Sequence, residues 1–205
     1  MKKVVVTNQK GGGGKSTVAV NLAWHLSRRI PTLLLDADAQ ASSSSWANDW
    51  DGLEVVQVTD APKLKRLLAT QGDGLIVVDC PPHDAELAAT AIPGADLVVV
   101  PVSPSPLDLW SAGPVLGALV GKVPVLVVMN RVRTGTRAAT MAREALVNMG
   151  VPVARAALGN RMAYAEAALA HKPVALYAPR NPAANETLAL AREVGKLIKV
   201  EVIRG

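Results

Sequence analysis

No phenylalanine occurs among the 205 residues of this chain, and its only aromatics are four tryptophans and two tyrosines. A protein that stacks bases along a platform or cages a quaternary ammonium needs several aromatic faces, so neither class fits. There is one cysteine, Cys80. It excludes an internal disulfide and a multi-cysteine metal centre built by a single copy, and it reads as a small buried residue. One thiolate per chain also falls short of an iron–sulfur ligand set, even across a two-fold axis. Long apolar runs are missing as well: none reaches about 18 residues, and Met1-Lys2-Lys3 leads into a short valine run without an apolar leader. The expectation is a soluble, cytoplasmic protein in a reduced compartment.

Half of the residues are apolar, enough for one α/β domain over 1–205 with a core on both faces of a sheet. Charge divides unevenly. Residues 1–120 carry nine Lys/Arg against twelve Asp/Glu, a balance of −3, whereas residues 121–205 carry thirteen against five, a balance of +8. The basic C-terminal part is either a solvated surface or a patch for a polyanion such as nucleic acid.

The apolar runs are short and valine-rich. "KVVVTN", "TLLLDAD", "LEVVQV", "GLIVVDC", "DLVVVPV" and "VPVLVVMN" do not alternate apolar with polar, which predicts strands buried on both faces. Between them lie helical stretches, from "KSTVAVNLAWHLSRR" to "RAATMAREALVNMG", and a final helix is predicted from Pro182 or Ala183. Strand, helix, strand at this spacing implies parallel pairing with right-handed crossovers: a doubly wound, mainly parallel sheet with helices on both faces. There is no repeat or linker, and "SSSSW" is the one low-complexity spot. Trp24, on the first helix, reads as core; Trp46 and Trp50 lie in a polar stretch and are left open between burial and exposure.

"QKGGGGKST", Gln9 to Thr17, follows the first strand and opens the first helix. Glycine costs the most backbone entropy to order, so four in a row need a reason. Without side chains, the backbone N–H groups of such a loop can curl around phosphate oxygens. Gly11, Gly12, Gly13 and Gly14 would form the cradle, Lys15 would reach the β- and γ-phosphates, the Ser16 hydroxyl would bind Mg²⁺, and Thr17 would touch the α-phosphate. The expected cofactors are ATP and Mg²⁺.

The pattern K-G-G-x-G-K-S, starting at Lys10, resembles the deviant Walker A motif of the ParA/MinD branch of P-loop ATPases. Two further stretches extend the likeness. "LLLDADAQ" is similar to the switch I motif D-x-D-P-Q, with Ala39 where the family has proline, and "LIVVDCPP" has the Walker B arrangement. "VVVPVSPSPLDLWSAG" is similar to the small ParF-like ParA proteins. The resemblance implies that Lys10 acts in trans on the nucleotide of a partner copy, although a lysine neutralising its own loop would fit too. By the same resemblance Asp38 polarises the attacking water, Asp36 supports the Mg²⁺ shell, and Asp79 holds Mg²⁺ through water. Pro101, Pro104 and Pro106 would link the nucleotide to the partner surface. Asn130 would read the adenine edge, and the "LYAPRNPAANE" loop, with Pro179, would pack on the base.

The implied function is a ParA-type ATPase. It would form a homodimer around ATP, bind non-specific DNA through its basic C-terminal part, and position a cargo with a ParB-like or other adaptor that stimulates slow hydrolysis. Arg192, Lys196 and Lys199 on one face of the final helix are the first candidates for DNA contact, followed by Lys172 and Arg161 on the preceding helical stretch. Alternatives are a MinD-like membrane switch using the tail "GKLIKVEVIRG", for which an aromatic anchor is lacking, and a biosynthetic P-loop enzyme of the dethiobiotin-synthetase type, which would not need the basic part.

Overall fold

Val4, Val5 and Val6 end strand β1 (Lys2–Val6), and none of the three is exposed to solvent. Successive strand side chains point to opposite faces, so such a run requires a sheet covered on both sides. The computed structural model, which describes residues 1–47 and 50–200, has that architecture. β2 (Thr32–Asp36), β3 (Leu53–Gln57), β4 (Leu75–Asp79), β5 (Leu97–Val102), β6 (Val125–Val132) and β7 (Val153–Gly159) join β1 in one sheet, ordered β3-β2-β4-β1-β5-β6-β7. Every pairing is parallel.

Two apolar layers sandwich the sheet. Val4, Val6, Leu34, Val77 and Val99 face α1 (Lys15–Ser27), α7 (Met162–Leu169), α8 (Val174–Tyr177) and α9 (Pro182–Ile198). Val5, Leu35, Val78, Val98 and Val100 face α3 (Ala61–Leu68), α4 (Ala85–Ala91), α5 (Pro106–Leu119) and α6 (Arg137–Asn148). Asp60, Asp84, Ser105, Thr136 and Asn181 each cap a helix by accepting a backbone N–H, which is why α3, α4, α5, α6 and α9 begin where they do. α1 lacks such a cap: it starts after Gly14, with its first N–H groups unclaimed by a side chain.

The structure departs from the expectations at several places. β7 lies in a stretch that the apolar runs do not mark, because "VARAALG" carries alanines and an arginine. It is an edge strand, paired only with β6. α9 covers its free side: Glu193 accepts the N–H groups of Arg155 and Ala156, and Glu186 accepts that of Gly159. "SSSSW" is a short helix, α2 (Ser42–Trp46). Trp24 is half-buried, not core. Lys199 does not share a helix face with Lys196, since it sits past the end of α9 in the left-handed conformation, φ 61°.

Candidate active site

Gly14 takes φ 88°, and a Cβ there would fall 1.9 Å from Asn130 Nδ2, so only glycine fits this turn into α1. Behind it Lys15 is buried, with its ammonium donating to Lys10 O at 3.2 Å. Burial lowers the Lys15 pKa, and the nearby Asp79 and Asp38 carboxylates partly offset that. A cavity of about 740 Å³ opens above the loop. Gly11, Gly12, Gly14, Lys15, Ser16 and Thr17 line one side of it and Asp38 another, so six residues of the loop and a switch acid meet in one concavity.

The two strand-end acids stand side by side. Asp36 on β2 and Asp79 on β4 are register partners, and β4 in turn pairs with β1, which carries the loop. Both are buried. Asp36 has both oxygens committed to backbone: Oδ1 accepts the Asp38 N–H at 3.1 Å and Oδ2 the Ser44 N–H at 2.7 Å. It therefore shapes the loop that carries Asp38. Asp79 is pushed up to about 7 by desolvation, with the Asp36 charge adding to the rise and the Ser43 hydrogen bond, the nearby Ser16 hydroxyl and the Lys15 charge opposing it. Its Oδ2 accepts from Ser43 Oγ at 2.6 Å, while its buried Oδ1 has no partner.

Besides Asp36 and Asp79, four expected site residues do not line the cavity. Lys10 is off the cavity wall, its ammonium paired with Asp108 on α5. Gly13 contributes its carbonyl to Asn130 Nδ2 at 2.9 Å. Asn130 also accepts the Arg131 N–H at 2.9 Å, so its amide nitrogen and oxygen are both bonded to backbone and it braces the loop. Pro179 is exposed and does not line the cavity. The rest of the wall includes Arg131, Ala165, Ala168, Leu169, His171 and Trp46.

Trp46 and His171 had no sequence signal for this place. Trp46 Nε1 donates to Lys172 O at 2.8 Å, Trp50 Nε1 to His171 O at 2.8 Å, and the His171 Nδ1 donates to Ser45 O at 2.7 Å. α2 is thereby fastened across the cavity to the turn after α7, a contact between residues about 125 apart in sequence that no local pattern encodes.

The basic candidates separate. Arg192 and Lys196, with Arg155, line a groove of about 820 Å³ that includes Leu97, Val125 and Val153 at the beginnings of β5, β6 and β7. In a parallel sheet that edge is opposite to the glycine loop. Arg161 immediately precedes α7 and is engaged by Glu186 through Nε at 2.9 Å and Nη2 at 2.6 Å. Lys172, in a turn outside any helix, lies on the cavity side beside Trp46. The end of the tail, Glu201 to Gly205, is outside the described residues.

Residues 4–174 match the CobQ/CobB/MinD/ParA nucleotide binding domain. The chain belongs to this family. Among relatives it is 44% identical over 110 residues to the maintenance of carboxysome distribution protein A of Gloeobacter kilaueensis, a match spanning 52% of this chain and 51% of that protein. The protein of the same name from Halothiobacillus neapolitanus is 30% identical over 80% of this chain and 82% of its own. In fold, the MinD septum site-determining protein of Pyrococcus horikoshii, solved with Mg-ADP, superposes with TM-score 0.81 at 20% identity over 96% of both chains. ParA/MinD relatives of this kind are P-loop ATPases by family.

Mg²⁺ suits the family site on the evidence of its donors. Among the described residues no group of three or more His, Cys, Asp or Glu is clustered for a metal. A hard cation that keeps most of its waters needs no such cage, only a hydroxyl and one carboxylate with spare capacity. Ser16 and the unpartnered Asp79 Oδ1 supply those.

Proposed function

We propose that this protein is an ATP-dependent partition or positioning ATPase. Two copies close around ATP and Mg²⁺, the dimer binds duplex DNA without regard to sequence, and an adaptor on the cargo stimulates slow hydrolysis and release. The observation that carries the reading is the different placement of the two loop lysines. Lys15 is buried at the cavity, placed for the phosphates of its own nucleotide; Lys10 stands outside the cavity wall, partly exposed and paired with Asp108, which suits a role toward the nucleotide of a second copy. Ser16 and Asp79 would hold the metal, which when bound would neutralise phosphate charge. Asp38, on the wall that faces the loop, orients the attacking water. The resemblance to carboxysome distribution proteins favours a protein organelle as the cargo, reached through a ParB-like or other adaptor; a cytoplasmic, nucleoid-bound location follows from the DNA step.

Arg192, Lys196 and Arg155 at the opposite edge of the sheet are the DNA contacts in this reading, and Arg161, already paired with Glu186, is not. Electrophoretic retardation of random-sequence duplex tests it. With a non-hydrolysed ATP analogue and Mg²⁺, light scattering should report a dimer and the duplex should shift, with a log–log salt slope of about −0.9 per phosphate contact. Asp38→Ala should keep the dimer and the shift but lose turnover. A monomer at saturating analogue overturns the sandwich. A dimer that binds anionic liposomes and not duplex would replace DNA by membrane.

A further inference from the structure

The Asp79 carboxylate is held asymmetrically. A carboxyl torsion is broad and two-fold, so either oxygen of a free aspartate can face a given partner. Here Oδ2 is engaged by Ser43 Oγ at 2.6 Å, and Oδ1, equally buried, has none. Ser43 itself has no solvent exposure, so its hydroxyl cannot trade Asp79 for water. Its neighbour Ser44 grips Asp36 through the backbone N–H at 2.7 Å. Consecutive residues of α2 thus hold the two register-paired acids at the ends of β2 and β4. Among the described residues, the two buried side-chain polar atoms without a partner are Asp79 Oδ1 and Ser44 Oγ, both at this junction. A buried carboxylate oxygen is rarely left unmatched, and Asp79 Oδ1 points to a hydrated ligand beside it.

The geometry points to Ser43 as a positioning residue for the metal: its hydroxyl fixes one oxygen of Asp79 so that the other stays available to the hydration shell of Mg²⁺. The inference rests on the nucleotide–Mg²⁺ reading above and extends it to a residue outside the glycine loop and both strand-end acids. It also ties the metal to α2, and through Trp46 and Ser45 to the turn at His171 and Lys172 on the far wall of the cavity.

The test is the Mg²⁺ dependence of nucleotide affinity, read with a fluorescent ADP analogue on the full chain, without turnover. Ser43→Ala should bind the analogue in EDTA within about twofold of wild type. The Mg²⁺ concentration that gives half of the metal-dependent tightening should rise about tenfold, the size expected for one hydrogen bond to a charged group. Ser44→Ala, which leaves the Asp79 bond in place, should keep the wild-type midpoint, and Ser43→Thr, which restores a hydroxyl, should recover most of it. An unchanged midpoint in Ser43→Ala overturns the role of Ser43 while the nucleotide reading stands. So does an equal loss of affinity in EDTA, or an equal shift in Ser44→Ala, since either means that α2 as a whole is what matters. Wild type whose affinity ignores Mg²⁺ overturns the nucleotide–metal reading itself, and Ser43 with it.

Discussion

Lys10 and Asp108 form an ion pair that joins the glycine loop to the first turn of α5. Asp108 is the more buried partner; although burial opposes it, the bonds from Lys10 and Ser103 hold its carboxyl below the usual range. Leu107 and Trp110, on either side of Asp108 in sequence, are 65% and 71% exposed. In the sandwich reading Lys10 must leave Asp108 to reach the partner's phosphates, so the pair restrains dimerisation.

Asp108→Asn should therefore lower the ATP-analogue concentration needed for the dimer. The half-exposed lysine limits the effect to about two- to fivefold, the range of a partly screened pair. Light scattering across an analogue titration measures it. A higher requirement in Asp108→Asn would mean that Asp108 aims Lys10 instead of restraining it. Lys10→Ala should give no dimer in either background.

Gly14 and Asn130 are coupled by contact. Gly14→Ala places a methyl 1.9 Å from Asn130 Nδ2, which is held by Gly13 O, and also forces φ 88° on a residue with a Cβ. The variant should fold, lose about 1–2 kcal/mol of stability, and bind nucleotide at least about tenfold more weakly because the loop's carbonyl support is displaced. In the double variant with Asn130→Ala the stability losses should sum to less than the two singles. Strict additivity in urea unfolding would show that the backbone strain alone is responsible.

His25 on α1 gives the pH prediction. Its Nε2 donates to Thr187 Oγ1 at 3.0 Å, the hydroxyl itself donating to carbonyls of α9. Desolvation, with the Arg192 charge adding, pushes the imidazole down to about 4. The unfolded chain takes up a proton below about 6.5 and the folded one does not until about 4, so this group's contribution is present above 6.5 and is lost as pH falls through that window. The loss is about 1.4 kcal/mol per pH unit, up to about 3 kcal/mol in all. His25→Gln retains a donor for Thr187 and cannot titrate. Its urea midpoint should fall less than that of wild type between pH 7 and pH 5, and equal falls would count against a neutral His25.

Some of the site could be read directly from residue order, because the chemistry there is local. A glycine loop after a buried strand, with Lys15 and Ser16 at its end, needs only neighbouring residues to announce a phosphate cradle, and "LLLDAD" and "LIVVDC" each end in an acid because parallel strands deliver their termini to one edge. Six strands were readable from their valine runs for the same reason. β7 was not, since its free edge is satisfied by Glu186 and Glu193 of α9, about thirty to forty positions away.

What residue order determines here is the identity of the groups at the sheet edge: Lys15, Ser16, Asp36, Asp38 and Asp79 each follow a strand or open a helix, and backbone geometry carries them together. What tertiary packing decides is which of their atoms remain free. Asn130 is turned inward onto Gly13 O, Asp36 is consumed by the N–H groups of Asp38 and Ser44, Lys10 is taken by Asp108, and Asp79 is left one open oxygen by Ser43. Those outcomes depend on hydrogen bonds between residues up to 117 positions apart. A buried polar atom accepts whichever partner the fold brings within reach, and sequence spacing does not record that distance.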